Sequence, residues 1–571
     1  MTSALRKSLA NALLASGIET PEEAATLASR QNSGSSWTAE VLNHAKVDEV
    51  KFAEEIGRLF KLPVLQINVN RIDRTCLSLL PSRFVFKHQI LALSSTEASV
   101  QLATYDIFNT VGRNLAVQLL NHKKIEWVLV PRSQLLRAIK TLYGVGAETF
   151  DELLKSSRAL EAVDEANKSM DLNADDPEAS VVKFVNQIIR EAILERATDI
   201  HVEPLENDLR IRYRIDGILH EVAVPQQLRL LQSAIISRLK VMAQMDIAEK
   251  RLPQDGRINL QHGDENIDVR VSTIPTVNGE SISLRLLTRS VQTFGFERLD
   301  LSAKHTALVE KLLALPNGII LVTGPTGSGK STTLYSFLTS INSVQRRIIT
   351  IEEPVEYRLP GVSQIDVKPE IGLTFATGLR HILRQDPNVV MVGEIRDFET
   401  SEISIRAAMT GHLVFSTLHT NDAVTGITRL LDMGIEPFLL ASTVRAFIAQ
   451  RLVRTICHEC TEWVDYPEEY LLEIDAPKEA GKRFRRGKGC ENCRQTGYRG
   501  RAAIYEICAV SDSLQKLIIR KASGGELKQR AIANGMNTLR QDGWRRVIAG
   551  QTTVEEIVRV TQTDEVLAET D

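Results

Sequence analysis

The 571-residue chain lacks any apolar run near the ~18 residues that a helix needs to cross a bilayer. Its start, MTSALRKSLANALLASG, has no signal-peptide cleavage pattern and indicates an amphipathic helix instead. Six cysteines in so long a chain exclude a disulfide framework. We therefore expect a cytoplasmic protein with no membrane span of its own.

The chain also lacks an excess of charge of either sign, since its net charge is −3. A nucleic-acid motor normally carries a strongly basic surface, so this balance argues against one. Hydrophobic residues make up 43% of the chain, and its length exceeds what one core can organise. Several globular domains are therefore expected.

Composition and periodicity divide the chain into four parts. The first alternates helical and strand patterns without a catalytic-looking cluster, and the second is acidic and poor in large apolar residues. The third has strand alternation, and in the fourth strands alternate with helices. We predict a docking module at 1–145, a flexible linker at 146–178, an α+β domain at 179–300 and a parallel α/β domain at 301–571.

The α+β domain is predicted to carry an arginine-bearing face. Two alternating runs around Arg270 and Arg285 are joined by a loop that contains Asn278-Gly279. If these runs pair as a hairpin, both arginines lie on the polar face of one sheet. The alternative, a solvated face without a role, stays open from these residues alone.

A glycine-rich segment supplies the most specific motif of the α/β domain. GPTGSGKST matches GxxxxGK[ST] between a buried strand at 318–322 and a helical pattern. The N–H groups of such a loop bind a triphosphate, Lys330 neutralises its β and γ phosphates, and the Ser331 hydroxyl ligates Mg²⁺. The predicted nucleotide-binding residues are Gly324, Pro325, Thr326, Gly327, Ser328, Gly329, Lys330, Ser331 and Thr332.

Polar side chains follow three further predicted strands of this domain. Ligands of parallel sheets bind beyond the carboxyl ends of the strands, so Glu353, Glu394 and His419 are predicted to meet the nucleotide. Glu394 either holds the Mg²⁺ shell or orients the attacking water, and Glu353 is the general base or a water-mediated metal ligand. His419 is predicted to sense the γ-phosphate or to carry the signal from it. The strands are predicted at 347–351, 388–392 and 412–416.

No obvious residue of the α/β domain supplies a cation for the γ-phosphate. Arginine fingers can act across a subunit boundary. Arg270 and Arg285 of a neighbouring subunit are therefore the candidates for this role.

Two CxxC pairs form a candidate metal site in a subdomain at about 452–508. Their four thiolates suit tetrahedral Zn²⁺ with no open position, so the metal would be structural. Redox disulfides are the alternative. The cysteines are Cys457, Cys460, Cys490 and Cys493.

The segment between the two cysteine pairs concentrates five cations at 482–488. We predict a solvated loop there, with contact to acidic lipid or an acidic partner as the alternative.

These motifs resemble those of the type II secretion and type IV pilus assembly ATPases. GPTGSGKSTTLY, TIEEPVEY, RQDPNVVMVGEIRDFET and TGHLVFSTLHTND are similar to the family's Walker A motif, Asp box, Walker B motif and His box. ATDIHVEP, RYRIDG, RLPQDGRI and DVRVSTIP are similar to its second amino-terminal domain. GYRGRAAIYE and the cysteine pairs are similar to its metal subdomain, so the resemblance covers about residues 180–560.

The resemblance implies a RecA-like P-loop ATPase domain with a zinc-binding insertion, preceded by a PAS-like α+β domain and an α/β docking module. It implies a ring hexamer on the cytoplasmic face of the inner membrane that hydrolyses ATP to drive pilin or pseudopilin fibre assembly. The implied partners are a membrane platform protein and a membrane-anchored docking protein. In this family Arg270 and Arg285 would be the arginine fingers.

Two features depart from the family pattern. Glu353 stands where the family usually has Asp, which keeps the charge on a longer arm. The amino-terminal region loosely resembles a cyclic-di-GMP-binding module whose repeats begin Arg-Leu-Gly, but this chain has Ser-Leu-Ala at 8–10 and Ser-Trp-Thr at 36–38. We therefore expect no dinucleotide binding and predict docking to a membrane-anchored partner.

Two other functions remain as alternatives. A nucleic-acid-translocating ring ATPase would use a related fold, although the pI near 6.5 argues against it. A regulatory nucleotide-binding module would show little turnover.

Overall fold

The computed structural model describes residues 3–29, 37–44, 47–69, 72–120, 123–144, 177–224, 228–262, 265–288, 294–474, 476–477, 481–490 and 492–561. The chain divides into two compact units, Met1–Thr288 and Arg289–Asp571. The predicted linker lies outside the described residues except for its last two positions. Its role and the four-part division stay predictions. Within the described ranges, no helix has both the length and the apolar character that crossing a membrane requires.

The first unit contains a three-stranded and a six-stranded sheet. Its helices are α1 (Ser3–Ala15), α2 (Pro21–Ser29), α3 (Trp37–Leu42), α4 (Glu49–Phe60), α5 (Ser82–His88), α6 (Thr110–Leu119), α7 (Arg132–Tyr143), α8 (Pro177–Leu194) and α9 (Gln232–Met242). Its strands are β1 (Ile90–Ser95), β2 (Ser99–Thr104), β3 (Lys124–Leu129), β4 (Asp199–Pro204), β5 (Leu209–Ile215), β6 (Ile218–Glu221), β7 (Gln254–His262), β8 (Glu265–Thr276) and β9 (Gly279–Thr288).

The six-stranded sheet is antiparallel in the order β6-β5-β4-β9-β8-β7. One side of α8 is buried at helical spacing, including Phe184, Ile188 and Ala192, and packs into the same core as the apolar residues of the sheet. The β5–β6 hairpin turns at Asp216 and Gly217, both of which have positive φ, as a tight hairpin turn requires. The predicted α+β fold is therefore confirmed.

The second unit is built on a seven-stranded sheet in the order β12-β11-β13-β14-β10-β15-β18. Its helices are α10 (Ala303–Leu313), α11 (Lys330–Ile341), α12 (Phe375–Ile382), α13 (Phe398–Met409), α14 (Thr425–Asp432), α15 (Pro437–Thr443), α16 (Glu468–Glu473), α17 (Asp512–Ile519), α18 (Gly524–Ala533), α19 (Leu539–Ile548) and α20 (Val554–Thr561). Its strands are β10 (Gly318–Thr323), β11 (Ile348–Glu352), β12 (Ser363–Asp366), β13 (Val389–Val392), β14 (Leu413–Leu418), β15 (Val444–Ile456), β16 (Thr461–Asp465), β17 (Arg483–Gly487) and β18 (Tyr498–Ala509).

All neighbouring strands of this sheet are parallel except β15 and β18, which pair antiparallel at one edge. Strand β10 is buried along its whole length, and its alternate residues enter two different cores. Ile319 and Leu321 lie in one core, whereas Ile320 and Val322 lie in the other. The sheet is thus covered on both faces, as a parallel α/β fold requires, and the four strands predicted from 318 to 416 are confirmed.

Strands β16 and β17 form a separate two-stranded sheet between the two cysteine pairs. The prediction of a solvated loop at 482–488 is wrong, because Arg483–Gly487 is strand β17 and Phe484 is buried against Tyr466 and Trp544. Alternation explains the difference: Phe484 points into a core while the neighbouring cations stay exposed.

Short 3₁₀ helices lie at Arg74–Ser78, Leu228–Leu231, Phe296–Leu299, Pro369–Ile371, Leu383–Gln385 and His458–Cys460.

Candidate active site

The phosphate-binding motif lies between the end of β10 and the start of α11, as the sequence predicts. Gly324, Gly327 and Gly329 all have positive φ, which favours glycine. A Cβ atom on Gly324 would lie 2.5 Å from the backbone oxygen of Gln450. One on Gly329 would lie 2.8 Å from Nε2 of the same residue. The glycines therefore allow a curved backbone that other side chains would block.

The donors of this loop fit an anionic ligand. The first turn of α11 has no side-chain cap, so its N–H groups are available to an anion. The Ser328 hydroxyl is among the buried polar groups of the described residues that have no hydrogen-bond partner. Ser331, in the same turn, is exposed to solvent. This donor set suits a phosphate and its metal ion.

Lys330 folds back onto its own loop. Its Nζ donates to the carbonyl oxygens of Gly324 (2.7 Å) and Pro325 (3.1 Å). Burial lowers the pKa of Lys330 to about 8, the charge of Glu394 acts in the opposite direction, and the charge of Arg451 adds to the lowering. A phosphate would replace the two carbonyl contacts with a charged partner.

Glu394 and His419 meet beyond the carboxyl ends of β13 and β14. His419 Nε2 lies 3.2 Å from Glu394 Oε2. The Glu394 side chain is 13% exposed and the His419 side chain 48% exposed. The structure therefore brings these two predicted residues together, with the histidine on the solvent side.

Arg396 joins this pair to Glu353. Its guanidinium forms an ion pair with Glu394 Oε1 and lies 3.8 Å from Glu353 Oε2. No sequence pattern singles out Arg396, although it follows Glu394 by only two positions. Arg396 is thus a cation of the α/β domain beside two of the predicted site residues. The expectation that this domain supplies no cation for the γ-phosphate stays a prediction.

Arg451, on β15, is a second cation that the sequence did not reveal. Its guanidinium donates to the carbonyl oxygen (3.2 Å) and Oδ1 (3.0 Å) of Asn421. Burial lowers its pKa, while the charge of Asp422 raises it. Its influence on Lys330 identifies it as part of the electrostatic environment of the phosphate loop.

The two adjacent glutamates at the end of β11, Glu352 within the strand and Glu353 just after it, lie in opposite environments. Glu353 is exposed, whereas Glu352 is 4% exposed and accepts hydrogen bonds from Tyr335, Thr350 and Gln364. Burial raises the pKa of Glu352, while its three hydrogen bonds act against that rise. Position relative to the strand end explains the split, because every residue of β11 is buried up to Glu352 and Glu353 is the first residue after the strand.

A hydroxyl pair connects the phosphate loop to the segment after His419. Thr323 Oγ1 lies 2.6 Å from Thr420 Oγ1 and accepts the Thr420 N–H at 3.0 Å. Both threonines are buried. The residue before Gly324 and the residue after His419 are thereby held together.

The predicted arginine face belongs to the first unit. Arg270 on β8 lies directly opposite Arg285 on β9, as the predicted hairpin requires. Arg257 on β7 lies opposite Arg270 and extends the row. Arg285 Nε pairs with Asp199 Oδ1 at 3.0 Å, and the arginine side chain is 54% exposed. The phosphate loop and the arginine face lie in different units of the chain.

The four cysteines of the CxxC pairs form one cluster. Cys457 Sγ lies 3.7 Å from Cys490 Sγ, and all four sulfurs lie within 4.8 Å of one another. Zn–S bonds of about 2.3 Å in a tetrahedron place sulfurs about 3.8 Å apart, which fits this arrangement. A disulfide needs about 2.05 Å, so the cysteines are free. The backbone N–H groups of Cys490 and Gly497 donate to Cys493 Sγ and support a thiolate there.

Comparison with known proteins gives two family matches. The family described as type II/IV secretion system protein matches residues 174–559 of the chain. The MshEN domain family matches residues 60–149. The chain is 40% identical to the type IV pilus assembly ATPase PilB of Myxococcus xanthus, with 94% of this chain and 95% of that protein covered. It is 49% identical to type II secretion system protein E of Pseudomonas aeruginosa, with 70% and 79% covered. A crystal structure of the pilus retraction motor PilT with bound ADP is 28% identical, covers 66% of this chain and 97% of its own, and has a TM-score of 0.45.

Proposed function

Since the chain belongs to the type II/IV secretion system protein family, we propose that it works as a ring hexamer that hydrolyses ATP to drive assembly of a pilin or pseudopilin fibre. Its place within the family makes it a secretion or pilus assembly ATPase. The hexamer would lie on the cytoplasmic face of the inner membrane. The main support from the site is the group of Glu394, Arg396, Glu353 and His419 near Lys330.

ATP would bind with its phosphates in the loop from Gly324 to Thr332. Lys330 would leave its two carbonyl partners for the β and γ phosphates. Ser331 and Glu394 would hold Mg²⁺, which neutralises phosphate charge when it is bound. The open N-terminus of α11 and the unpartnered Ser328 hydroxyl support this arrangement.

Hydrolysis needs a positioned water and compensation of the charge on the γ-phosphate. Glu353 or Glu394 would accept the proton of the water, and His419, which contacts Glu394, would report the state of the γ-phosphate. Arg270 and Arg285 of a neighbouring subunit would act as arginine fingers. The 54% exposure of Arg285 supports its access to a partner.

The four cysteines would hold one structural Zn²⁺. With all four positions filled by thiolates, the metal would link the two ends of the segment that carries β16 and β17. Exposed cations of this segment, including Arg483, Arg485 and Arg486, support contact with acidic lipid headgroups.

Residues 1–145 would dock to a membrane-anchored partner, and a membrane platform protein would receive the mechanical work. We propose that this region does not bind cyclic-di-GMP. Trp37 donates its indole N–H to Leu27 O (2.9 Å), and Thr38 bonds Asp106 Oδ1 (2.6 Å), so both are engaged in the core. Ser36 lies outside the described residues.

ATPase rates measured with and without DNA, and with the cytoplasmic part of a polytopic platform protein, test the proposal. We expect stimulation by the platform fragment and no response to DNA. Stimulation by DNA alone would favour a nucleic-acid-translocating ring and overturn the role in fibre assembly. Very low turnover under all conditions would favour a regulatory module.

A further inference from the structure

The hydroxyl group of Tyr335 forms hydrogen bonds to the chain on both sides of Glu353. Tyr335 lies on α11, the helix that begins at Lys330, and is 1% exposed. Its OH donates to Glu352 Oε2 and accepts the backbone N–H of Glu356 at 3.2 Å. The residue before Glu353 and a residue three positions after it are therefore fixed to the phosphate-loop helix.

Glu352 is held from other directions as well. Thr350 Oγ1 donates to its Oε1 at 2.6 Å, and Gln364 Nε2 donates to the same oxygen at 3.1 Å. Gln364 also donates to Tyr357 O and accepts the Leu359 N–H. The Glu352 carboxylate thus joins α11, β11 and β12 at the root of the exposed Glu353 side chain.

The tyrosine ring has its own packing, which is separate from these polar contacts. Its centroid lies 5.3 Å from that of Phe294 and 6.2 Å from that of Tyr357, and both pairs are edge-to-face. Replacement by phenylalanine therefore keeps the ring in place and removes only the hydroxyl. The effect of the two hydrogen bonds can be measured without a core cavity.

We propose that Tyr335 is a positioning residue for ATP hydrolysis, because its hydroxyl fixes the Glu352–Glu356 segment to α11, the helix that begins at Lys330. One helix then sets the positions of both Lys330 and the Glu353 carboxylate. A displacement of about 1 Å in a reacting group can lower turnover ~100-fold, so this connection matters even though Tyr335 touches no ligand. The inference rests on the proposed role of Glu353 in hydrolysis.

The test compares Tyr335→Phe with Tyr466→Phe in the full chain. Tyr466 donates to Glu555 Oε1 at 2.8 Å and is also a buried, ring-packed tyrosine, so the control loses the same kind of hydrogen bond in the carboxyl-terminal part. For Tyr335→Phe we expect kcat to fall about tenfold or more while KM for ATP stays within about twofold. For Tyr466→Phe neither constant should change.

Hydrogen exchange of the nucleotide-free protein gives a second readout. The Glu356 amide should exchange faster in Tyr335→Phe than in the wild type, because its acceptor is lost, and Tyr466→Phe should leave it unchanged. Wild-type kcat in Tyr335→Phe would overturn the proposal, as would an equal loss of kcat in both variants.

Glu353→Gln separates failure of the inference from failure of the proposed function. Full turnover in Glu353→Gln would overturn the role of Glu353, and with it the positioning role of Tyr335. An inactive Glu353→Gln beside a fully active Tyr335→Phe would overturn the positioning role alone. Loss of kcat in both, with Glu356 exchange raised in Tyr335→Phe, is the expected result.

Discussion

The strand-end site, which comprises Lys330, Glu353, Glu394, Arg396 and His419, and the cysteine cluster each bring several functional side chains together, but they differ in completeness. The four cysteine sulfurs lie within 4.8 Å of one another and offer a full ligand set from one short region. At the strand ends, Lys330 bonds its own loop and Arg396 pairs with Glu394, so the charged groups satisfy one another. The first arrangement suits a permanent ion, whereas the second must exchange internal partners for a ligand.

The largest expected effect lies at the strand ends. Glu394→Gln should lower ATP turnover by about 10²–10³-fold, because the amide keeps the shape but loses the charge that in the proposed mechanism would hold Mg²⁺ or activate water. Glu402→Gln is the control, since Glu402 pairs only with surface Arg406 among the contacts described for it. Steady-state ATPase rates check this, and full turnover in Glu394→Gln would remove the proposed mechanism.

Removal of Arg285 tests whether the strand-end site is completed by another subunit. Arg285→Gln should lower turnover about 100-fold, since arginine fingers contribute at least that much. Arg229→Gln, an exposed arginine of the same unit, should have no effect. When Arg285→Gln subunits are mixed with inactive Lys330→Ala subunits, some activity should return at interfaces that combine two intact halves. No recovery in the mixture would place the arginine within its own subunit's site.

The pH dependence of ATP binding tests the internal contacts of Lys330. With a pKa of about 8, Lys330 is protonated below that pH and loses its charge above it. ATP affinity should therefore be nearly flat below pH 7 and fall by up to about tenfold per pH unit above pH 8. Titration with a fluorescent ATP analogue measures this. Lys330→Gln should bind weakly at every pH, and a flat wild-type profile from pH 7.5 to 9.5 would contradict the prediction.

The smallest effect on the nucleotide is expected from the cysteine cluster. Cys460→Ser should lower the zinc content and raise hydrogen exchange around 457–497, because the proposed metal would stabilise that segment. ATP affinity should stay within about twofold. Cys508→Ser, a buried cysteine outside the cluster, should keep one zinc per chain. Zinc content by mass spectrometry checks both, and unchanged zinc in Cys460→Ser would contradict the assignment.

Much of the candidate site was predictable because its residues follow strands in a recognisable order. A parallel sheet brings the ends of its strands together, so Glu394 and His419 had to lie close to the phosphate loop. Arg396 was missed because an arginine in a strand-end loop has no preferred partner until the loops have a fixed geometry. The error at 482–488 arose because the charge of the segment concealed the inward position of Phe484.

The sequence by itself determined the phosphate loop, the strand ends and the cysteine pairs, because glycine conformations, strand periodicity and CxxC spacing are local properties. The tertiary structure alone decided that Glu352 is buried while Glu353 is exposed, and that Tyr335 holds both flanks of the latter. Such contacts depend on how α11, β11 and β12 pack, and packing is set by residues distant in the chain. Local pattern thus located the candidate residues, and packing decided which of two neighbouring carboxylates is buried and which is exposed.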